Sequence, residues 1–298
     1  MKKQEIKIWD TYAEAFPMKC TRLIVTAENH QWALNACTSF TGFATSVIAC
    51  GCEAGIEKKL SISETPDGRP GFSILIFSMS SKELAKQVLN RSGQCIMTCP
   101  STALFSGNKG DVKIKLGNSL RFFGDGYQIS KKIFDKRFWR IPVMDGEFVC
   151  EEFAYQMPAV GGGNFLILGE SRQSVLKASE LAVKAINKIE NVILPFPGGI
   201  VRSGSKVGSK YKQLIASTNF EYCPSLSEIL DSKLSSKIKS VLEIVIDGVT
   251  EKDVSKAMEV GITEILNMKN KEGIVAISAG NYGGKLGPYL FHLKKLLT

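Results

Sequence analysis

The chain has 298 residues, 44% of them hydrophobic, and carries 38 Lys and Arg against 29 Asp and Glu, a net charge of +9. Such a length suits two ordinary domains, and the positive charge favours an anionic partner, with nucleic acid the weaker choice because no long basic run is present. Since only two histidines are present, a multi-histidine zinc site is nearly excluded.

One unit is predicted four times along the chain: an apolar strand, an amphipathic helix and a second apolar strand. The two copies in the first half place their strands at residues 21–27, 44–50, 72–78 and 94–99. The first helix runs from about Asn29 to Phe40. The second helix opens with the capping box Ser80-x-x-Glu83, and Gly93 is expected to end it.

The second half repeats the unit twice, with strands at residues 164–170, 192–196, 241–247 and 274–278. The apolar stripe of its first helix consists of Val175, Ala178, Ala182, Ala185 and Ile189. The second helix follows the capping box Thr250-x-x-Asp253. Its stripe consists of Val254, Ala257, Met258, Gly261, Ile262 and Ile265.

Two such units in succession give β-α-β-β-α-β, the ferredoxin-like arrangement, in which helices cover one face of an antiparallel sheet. We therefore predict an α+β fold with two ferredoxin-like lobes, residues 1–158 and 159–298. Residues 111–155, rich in strand formers punctuated by glycine, predict a β-meander insertion in the first lobe. One continuous parallel α/β sheet is the less favoured alternative.

Glu243 lies in the middle of the strand "SVLEIVIDG", residues 240–248. Because side chains alternate along a strand, Leu242, Ile244 and Ile246 share one face, which we expect to pack on the helices. Glu243 then points to the opposite face, expected to be uncovered and to line a cleft between the lobes. The alternative is an ordinary strand glutamate that is solvated or paired with a cation.

Four glycine-rich loops are predicted, at residues 64–71, 160–165, 195–211 and 278–287. None matches the dinucleotide fingerprint, and Ser205 stands where a P-loop requires lysine. Tight turns with solvated lysines would explain any one loop, but four together predict a cleft for an extended anionic ligand. The candidate ligand contacts are Asn164, Gly198, Gly199, Arg202, Ser205, Lys206, Lys210, Asn281 and Lys285.

The eight cysteines lie in apolar contexts, which is typical of reduced thiols packed in a core. No apolar run approaches the ~18 residues of a membrane span, and no secretory signal is recognised, so we expect a cytoplasmic protein. Because the cysteines and histidines lack metal-ligand spacing, we predict no metal site. A cysteine nucleophile paired with His30 or His292 is a weak alternative.

Several longer motifs resemble one family. They are "DTYAEAF", "TGFATSVI", "EAGIE", "ETPDGRPG", "GQCIMT", "FFGDGY", "GGNF", "PFPGGIV", "SGSKVGSK", "EIVI" and "SAGNYGGKLG". They occur in order over nearly the whole chain and resemble formylmethanofuran:tetrahydromethanopterin formyltransferase. The resemblance implies transfer of a formyl group from the methanofuran amine to a ring nitrogen of tetrahydromethanopterin, or the reverse, in methanogenesis or formaldehyde oxidation.

The resemblance further implies that Glu243, in the motif "LEIVI", is the catalytic glutamate. It implies methanofuran and tetrahydromethanopterin as cosubstrates, no tightly bound cofactor, and a homo-oligomer, typically a tetramer built as a dimer of dimers. In a bacterium it also implies assembly with a hydrolase. The alternatives are a non-catalytic cofactor-binding subunit of such a complex and a basic RNA-binding module, which the lack of surface aromatic pairs disfavours.

Overall fold

The computed structural model describes residues 5–230, 232–269, 271 and 273–298. They divide into two compact units: unit 2 is Met18–Ala159, and unit 1 combines Val160–Thr298 with the N-terminal residues up to Pro17. The predicted lobes, residues 1–158 and 159–298, therefore differ from these units chiefly in the first 17 residues, of which residues 1–4 lie outside the described part.

The structure is a mixed α+β fold. In chain order its strands are β1 (Lys7–Ile8), β2 (Tyr12–Thr26), β3 (Glu53–Leu60), β4 (Gly71–Ser78), β5 (Ala103–Ser106), β6 (Val112–Lys115), β7 (Ile129–Ile133), β8 (Lys136–Val143), β9 (Gly146–Glu151), β10 (Phe153–Gly169), β11 (Val192–Ile193), β12 (Ser205–Val207), β13 (Ala216–Thr218), β14 (Ser240–Gly248), β15 (Ile274–Ser278) and β16 (Tyr289–His292). Its helices are α1 (His30–Thr41), α2 (Val47–Cys50), α3 (Ser81–Arg91), α4 (Gly117–Leu120), α5 (Arg172–Ile186), α6 (Glu251–Leu266) and α7 (Leu293–Leu296). No helix among the described residues combines the length and apolarity needed to span a membrane.

Unit 2 contains an antiparallel sheet with the strand order β3-β4-β2-β5, and β9, β8 and β7 extend it beyond β5. The β5–β9 pair is parallel, whereas β7, β8 and β9 pair antiparallel in sequence order. Helix α1 begins where Asn29 accepts a hydrogen bond from the Trp32 N–H. It packs Phe40 into a core that includes Leu23 and Ile74 of the sheet. The helix that was predicted from about Asn29 to Phe40 is thereby confirmed within one residue at each end.

Two predicted strands of this unit are wrong. Residues 47–50 form the short helix α2, capped by Ser46 and ended by Gly51 in the left-handed conformation, and the strand follows as β3. The sequence of β3, "EAGIEKKL", is polar because β3 lies at the edge of the sheet, where charged side chains are usual.

The strand predicted at residues 94–99 is likewise absent. Gly93 does not stop the preceding helix, since Ser92–Ile96 continue it as a π-helical turn, and strand β5 begins only at Ala103. Within the predicted meander, Gly117–Leu120 and Arg121–Gly124 form helical turns where strand formers suggested extended chain.

Unit 1 contains a sheet with the order β11-β14-β10-β15-β1. All its pairs are antiparallel except β1–β15. Helix α6 has both halves of the predicted capping box, and all six residues of its predicted stripe are buried. Helix α5 buries Val175, Ala178 and Ala182 as predicted, whereas Ala185 is only partly buried and Ile189 lies beyond the helix end.

Helices α5 and α6 cover the face of this sheet that carries Phe165, Ile244 and Ile246, as the alternation along the β14 strand predicts. The opposite face was expected to be uncovered, and this is wrong. The segment between β11 and β14 returns over it, and Tyr222 and Ile238 pack there on Leu166, Leu168 and Ala276. Glu243 therefore lies beside a second, smaller apolar cluster.

The predicted loop at residues 160–165 is part of strand β10, and its glycines have packing roles. Gly162 has a φ of +86° at a β-bulge, and a Cβ atom on Gly163 would lie 2.3 Å from Cγ1 of Val254 on helix α6. Gly163 thus permits the close approach of helix and sheet.

We expect Gly163→Ala to lower the free energy of unfolding by about 1–3 kcal/mol, because the added methyl group overpacks the contact with Val254. Urea unfolding of Gly163→Ala, Val254→Ala and the double variant measures this, and the two losses should be less than additive. Gly93→Ala is the control, since its Cβ would meet no atom nearer than 3.5 Å. An equal loss in both glycine variants would contradict the packing role.

Candidate active site around Glu243

The backbone of Glu243 is held from both sides. On β10 its register partner is Leu166, and on the other side it forms an isolated antiparallel bridge with Val201. The N–H of Val201 donates to the carbonyl of Glu243 at 2.7 Å, and the N–H of Glu243 donates to the carbonyl of Val201 at 3.0 Å. The bridge brings the glycine-rich segment that follows Val201 next to the glutamate side chain.

Burial raises the pKa of Glu243 to about 7 from the ordinary 4.5. Glu243 is only partly exposed, and this desolvation disfavours the charged carboxylate. Near neutral pH the group therefore exists in both protonation states. Such a carboxyl can donate and accept a proton in one catalytic cycle.

Gly204 lies directly against this carboxyl group. A Cβ atom on Gly204 would be 3.0 Å from Oε2 of Glu243, so that a larger residue would press on the carboxylate. Ser205 follows as the first residue of β12, which pairs with β13 as a two-stranded hairpin. We call residues 204–205 the 204–205 turn. The candidate Ser205 is thus the residue next to Gly204, and its carbonyl oxygen has a further partner.

That partner is Tyr282, which sequence reasoning missed. Its hydroxyl donates a hydrogen bond to the carbonyl oxygen of Ser205 at 2.8 Å. Burial, followed by the negative charges of Glu243 and Glu14, raises the pKa of the Tyr282 hydroxyl. The hydroxyl therefore stays protonated and remains a donor.

Residues 280–287, called here the 280–287 loop, are wound around the carboxylate of Glu14. Oε2 accepts the N–H of Tyr282 at 2.8 Å and of Gly284 at 3.0 Å. Oε1 accepts the N–H of Leu286 and, at 3.1 Å, the N–H of Gly287. The sequence predicted that such N–H groups cradle a ligand's anion, and at these four positions the anion is a side chain of the protein itself.

Two predicted ligand contacts, Asn164 on strand β10 and Asn281 in the loop itself, form hydrogen bonds between the 280–287 loop and the rest of the unit. The Asn164 amide accepts the N–H of Gly280 at 2.6 Å and donates to the carbonyl of Gly280 at 3.2 Å. The Asn281 amide donates to Oγ1 of Thr11 at 3.0 Å and to the carbonyl of Tyr12 at 3.2 Å. Both amides therefore hold the loop in place.

The predicted basic contacts are accessible. Arg202, Lys210 and Lys285 are exposed, and Lys206 is partly buried with its ammonium 5.5 Å from the centre of the Phe220 ring. Arg202 and Lys210 lie in the same segment as Gly204, and Lys285 lies in the 280–287 loop. Exposed cations of this kind attract acidic groups.

The remaining glycine candidates separate into two kinds. Gly198 is exposed with a φ of +62° and free space around its Cα, which leaves its backbone accessible. Gly199 is buried, and a Cβ there would lie 2.9 Å from Leu194, so Gly199 serves packing. The predicted loop at 64–71 belongs to unit 2, where Arg69 binds Asp67 through an ion pair of 2.8 Å.

The thiols and histidines take no part in this arrangement. None of the eight cysteines forms a disulfide, all of them lying within the described residues, and burial raises the pKa of Cys37 and Cys150 to about 12. The ring of His30 contacts the Leu60 carbonyl, and that of His292 packs on Tyr12. Across residues 5–230, 232–269, 271 and 273–298, no group of three His, Cys, Asp or Glu side chains is placed to hold a metal ion.

Comparison with known proteins identifies the family. A model described as formylmethanofuran-tetrahydromethanopterin formyltransferase matches residues 1–143, and the model of that family's proximal lobe matches residues 146–296. The formylmethanofuran–tetrahydromethanopterin formyltransferase from Methylococcus capsulatus is 59% identical over 98% of each chain. One from Methanocaldococcus jannaschii is 47% identical, again over 98% of each chain.

Two solved structures are similar throughout. The formyltransferase/hydrolase complex from Methylorubrum extorquens, in complex with methylofuran, contains a chain with a TM-score of 0.96 and 50% identity, covering 98% of this chain and 97% of that one. The formyltransferase from Methanosarcina barkeri has a TM-score of 0.92 and 45% identity with complete coverage of both chains. The chain therefore belongs to the formylmethanofuran-tetrahydromethanopterin formyltransferase family and transfers a formyl group between methanofuran and tetrahydromethanopterin.

Proposed function

We propose that Glu243 is the acid–base residue of this formyl transfer. The observation that carries the proposal is a carboxyl group whose pKa burial raises to about 7, next to a glycine that leaves it uncrowded. An amine is a poor leaving group unless it is protonated, and the attacking amine must lose a proton. One carboxyl that titrates near neutrality meets both needs.

The formyl group passes directly from one nitrogen to the other, without a covalent bond to the enzyme. The pterin nitrogen attacks the formyl carbon, and a tetrahedral intermediate forms. Protonated Glu243 donates its proton to the methanofuran nitrogen as the carbon–nitrogen bond breaks, and it recovers a proton from the pterin nitrogen. Both substrates bind together, and neither a metal nor a tightly bound cofactor enters the scheme.

The oxyanion of that intermediate requires hydrogen-bond donors. Four N–H groups of the 280–287 loop are already bound to Glu14, so we assign the donors to the glycine-rich segment at residues 195–211. Gly198, whose backbone is accessible, is the foremost candidate there. Asn164, Gly199, Ser205 and Asn281 complete the set of proposed substrate contacts, and the amides of Asn164 and Asn281 also hold the 280–287 loop in place.

The basic residues bind the acidic parts of the substrates. We place Arg202, Lys206 and Lys210 on the segment next to Glu243, and Lys285 on the 280–287 loop, in this role because they are cationic and solvent-accessible. Charge attraction would hold a carboxylate or phosphate group without demanding a rigid pocket.

Finer features of fold and assembly are part of the proposal. Each unit is a ferredoxin-like lobe, on the support of the orders β3-β4-β2-β5 and β11-β14-β10-β15, with β7–β9 as a meander insertion near the lobe boundary at 158–159.

The protein forms homo-oligomers, typically tetramers. Because a relative that is 51% identical belongs to a formyltransferase/hydrolase complex, assembly with a hydrolase is also proposed. Eight cysteines in the reduced thiol form favour a cytoplasmic location.

We expect Glu243→Gln to fold and assemble normally, since the amide matches the carboxyl in shape, and to lose about 10²- to 10⁴-fold in kcat. Formyl transfer with both cosubstrates, together with thermal unfolding, measures the two properties. Near-normal kcat would remove Glu243 from the mechanism. Loss of folding in this variant would make its role structural.

The same variant tests the pKa. Below pH 4.5 the Glu243 carboxyl is protonated in both the folded and unfolded chain, whereas between 4.5 and about 7 only the folded chain retains the proton. Wild type should therefore lose stability relative to Glu243→Gln as pH rises through this window, by about 3 kcal/mol at most. Denaturant unfolding from pH 4.5 to 8 checks this. Parallel curves for both proteins would contradict the raised pKa.

Replacing Arg202, Lys206 and Lys210 together with Gln should raise the KM values by about 10-fold or more and change kcat little, because such contacts hold ground and transition states alike. The matched control removes three exposed charges from helix α5 of the same unit, through Arg172→Gln, Lys177→Gln and Lys184→Gln. If both triple variants keep the wild-type KM values, the segment at 195–211 does not bind the acidic substrate groups.

A further inference from the structure

The conformation of the 280–287 loop depends on one buried side chain. Glu14 is 1% exposed, and its two oxygens accept four backbone N–H groups of the loop. The loop also approaches strand β2 so closely that a Cβ on Gly287 would lie 2.1 Å from the carbonyl oxygen of Ala15. An uncharged side chain at position 14 would leave these donors without an equally strong acceptor.

Glu14 is held in its ionised form. Burial by itself would raise its pKa, but the N–H groups of Tyr282, Leu286, Gly287 and Gly284 outweigh burial and lower the pKa of this carboxyl below its ordinary value. Glu14 and Glu243 are thus two carboxyl groups of one unit with opposite pKa shifts. The difference follows from the donors that surround one and not the other.

A continuous series of contacts joins the two residues. Glu14 binds the N–H of Tyr282, whose hydroxyl binds the carbonyl of Ser205, and Gly204 lies against the Glu243 carboxyl. Tyr282 is therefore fixed at its backbone by Glu14 and at its hydroxyl by the 204–205 turn. Glu243 is partly exposed, so a displaced loop that released the turn would increase the contact of its carboxyl group with water.

We infer that Glu14 is a positioning residue for Glu243: its buried carboxylate shapes the 280–287 loop so that Tyr282 holds the 204–205 turn over the Glu243 carboxyl. The catalytic consequence rests on the acid–base role proposed above for Glu243, whereas the structural consequence does not. Glu14 itself touches no substrate in this scheme. It acts through the loop and the turn, and its effect is on the proton affinity and exposure of Glu243.

The charged and titratable neighbours of Glu243 fit this assignment. The negative charges of Glu243 and Glu14 both act on the Tyr282 hydroxyl, which belongs to the 280–287 loop. Asp247 lies on the same face of β14, four residues along the strand. Arg202 and Lys206 flank the 204–205 turn, and the direct strand neighbours Leu166 and Val201 are uncharged.

We expect Glu14→Gln to lower kcat by about 10- to 100-fold, because a small displacement of a catalytic group has effects of this size. It should also move the pKa of Glu243 from about 7 towards 4.5, because water enters the site. That pKa is measured from unfolding free energies between pH 4.5 and 8, each variant being compared with its Glu243→Gln counterpart. The measurement needs no activity, so it tests the positioning even if Glu243 proves not to be the acid–base residue.

Tyr282→Phe separates loop shape from the charge of Glu14. It keeps that charge and removes only the bond to Ser205, so it should also lower kcat and the pKa of Glu243, and the double variant should be no worse than Glu14→Gln alone. It also tests the contacts between Tyr282 and the 204–205 turn if Glu14→Gln fails to fold.

The control for both variants is Asp253→Asn, which removes a carboxylate that binds the Thr250 N–H in the capping box of α6. It should lower stability but change neither kcat nor the pKa of Glu243.

An unchanged Glu243 pKa in folded Glu14→Gln, or in Tyr282→Phe, would overturn the inference. So would full additivity of the two variants, because independent effects cannot pass through one series of contacts. A pKa that shifts as expected while kcat stays unchanged would leave the positioning intact and instead count against the catalytic role of Glu243.

Discussion

The acceptance of four backbone N–H groups by the Glu14 carboxylate is the interaction on which the site depends. A segment with four glycines among eight residues has little conformational preference of its own and loses much entropy when it is ordered. Four bonds to one ionised, buried acceptor offset that cost because charge-assisted bonds are stronger than neutral ones. The loop acquires one conformation, and with it Tyr282 acquires one position.

Unit 1 treats its two faces differently. On one face, α5 and α6 pack against Phe165, Ile244 and Ile246 so closely that Gly163 has no room for a side chain. On the other face, irregular chain carries Tyr222 and Ile238 over the sheet and leaves a carboxyl group within a desolvated setting. Packing of α5 and α6 on one face of β14 fixes the position of Glu243, while the irregular chain on the other face desolvates its carboxyl group. The pKa of Glu243 can therefore depend on that irregular chain without any change in the helix-packed core.

The basic composition acquires a specific meaning in this setting. Arg202 and Lys210 belong to the segment that also contains Gly204, so one stretch of chain carries both the groups expected to attract acidic substrates and the glycine that lies against the Glu243 carboxyl. Binding of a substrate along that stretch would then be coupled to the exposure of Glu243.

The sequence by itself determined the repeated strand–helix units and the helix-facing side of β14, whereas Glu243 stood out as a candidate catalytic residue only through the family resemblance. The spacing of apolar residues along a helix predicts which side chains are buried, and all six residues of the predicted α6 stripe are buried in the structure. The sequence did not reveal the edge strand β3, because its residues are largely polar. It also did not reveal that β5 starts only at Ala103, because helix α3 continues as a π-helical turn to Ile96. Nor did it reveal Glu14 and Tyr282. They lie 268 residues apart in the chain, and an alternating strand motif such as "YAEAF" gives no sign that its carboxylate will order a distant glycine-rich loop. Tertiary structure alone decided that contact, because hydrogen bonds between remote segments leave no local pattern in either one.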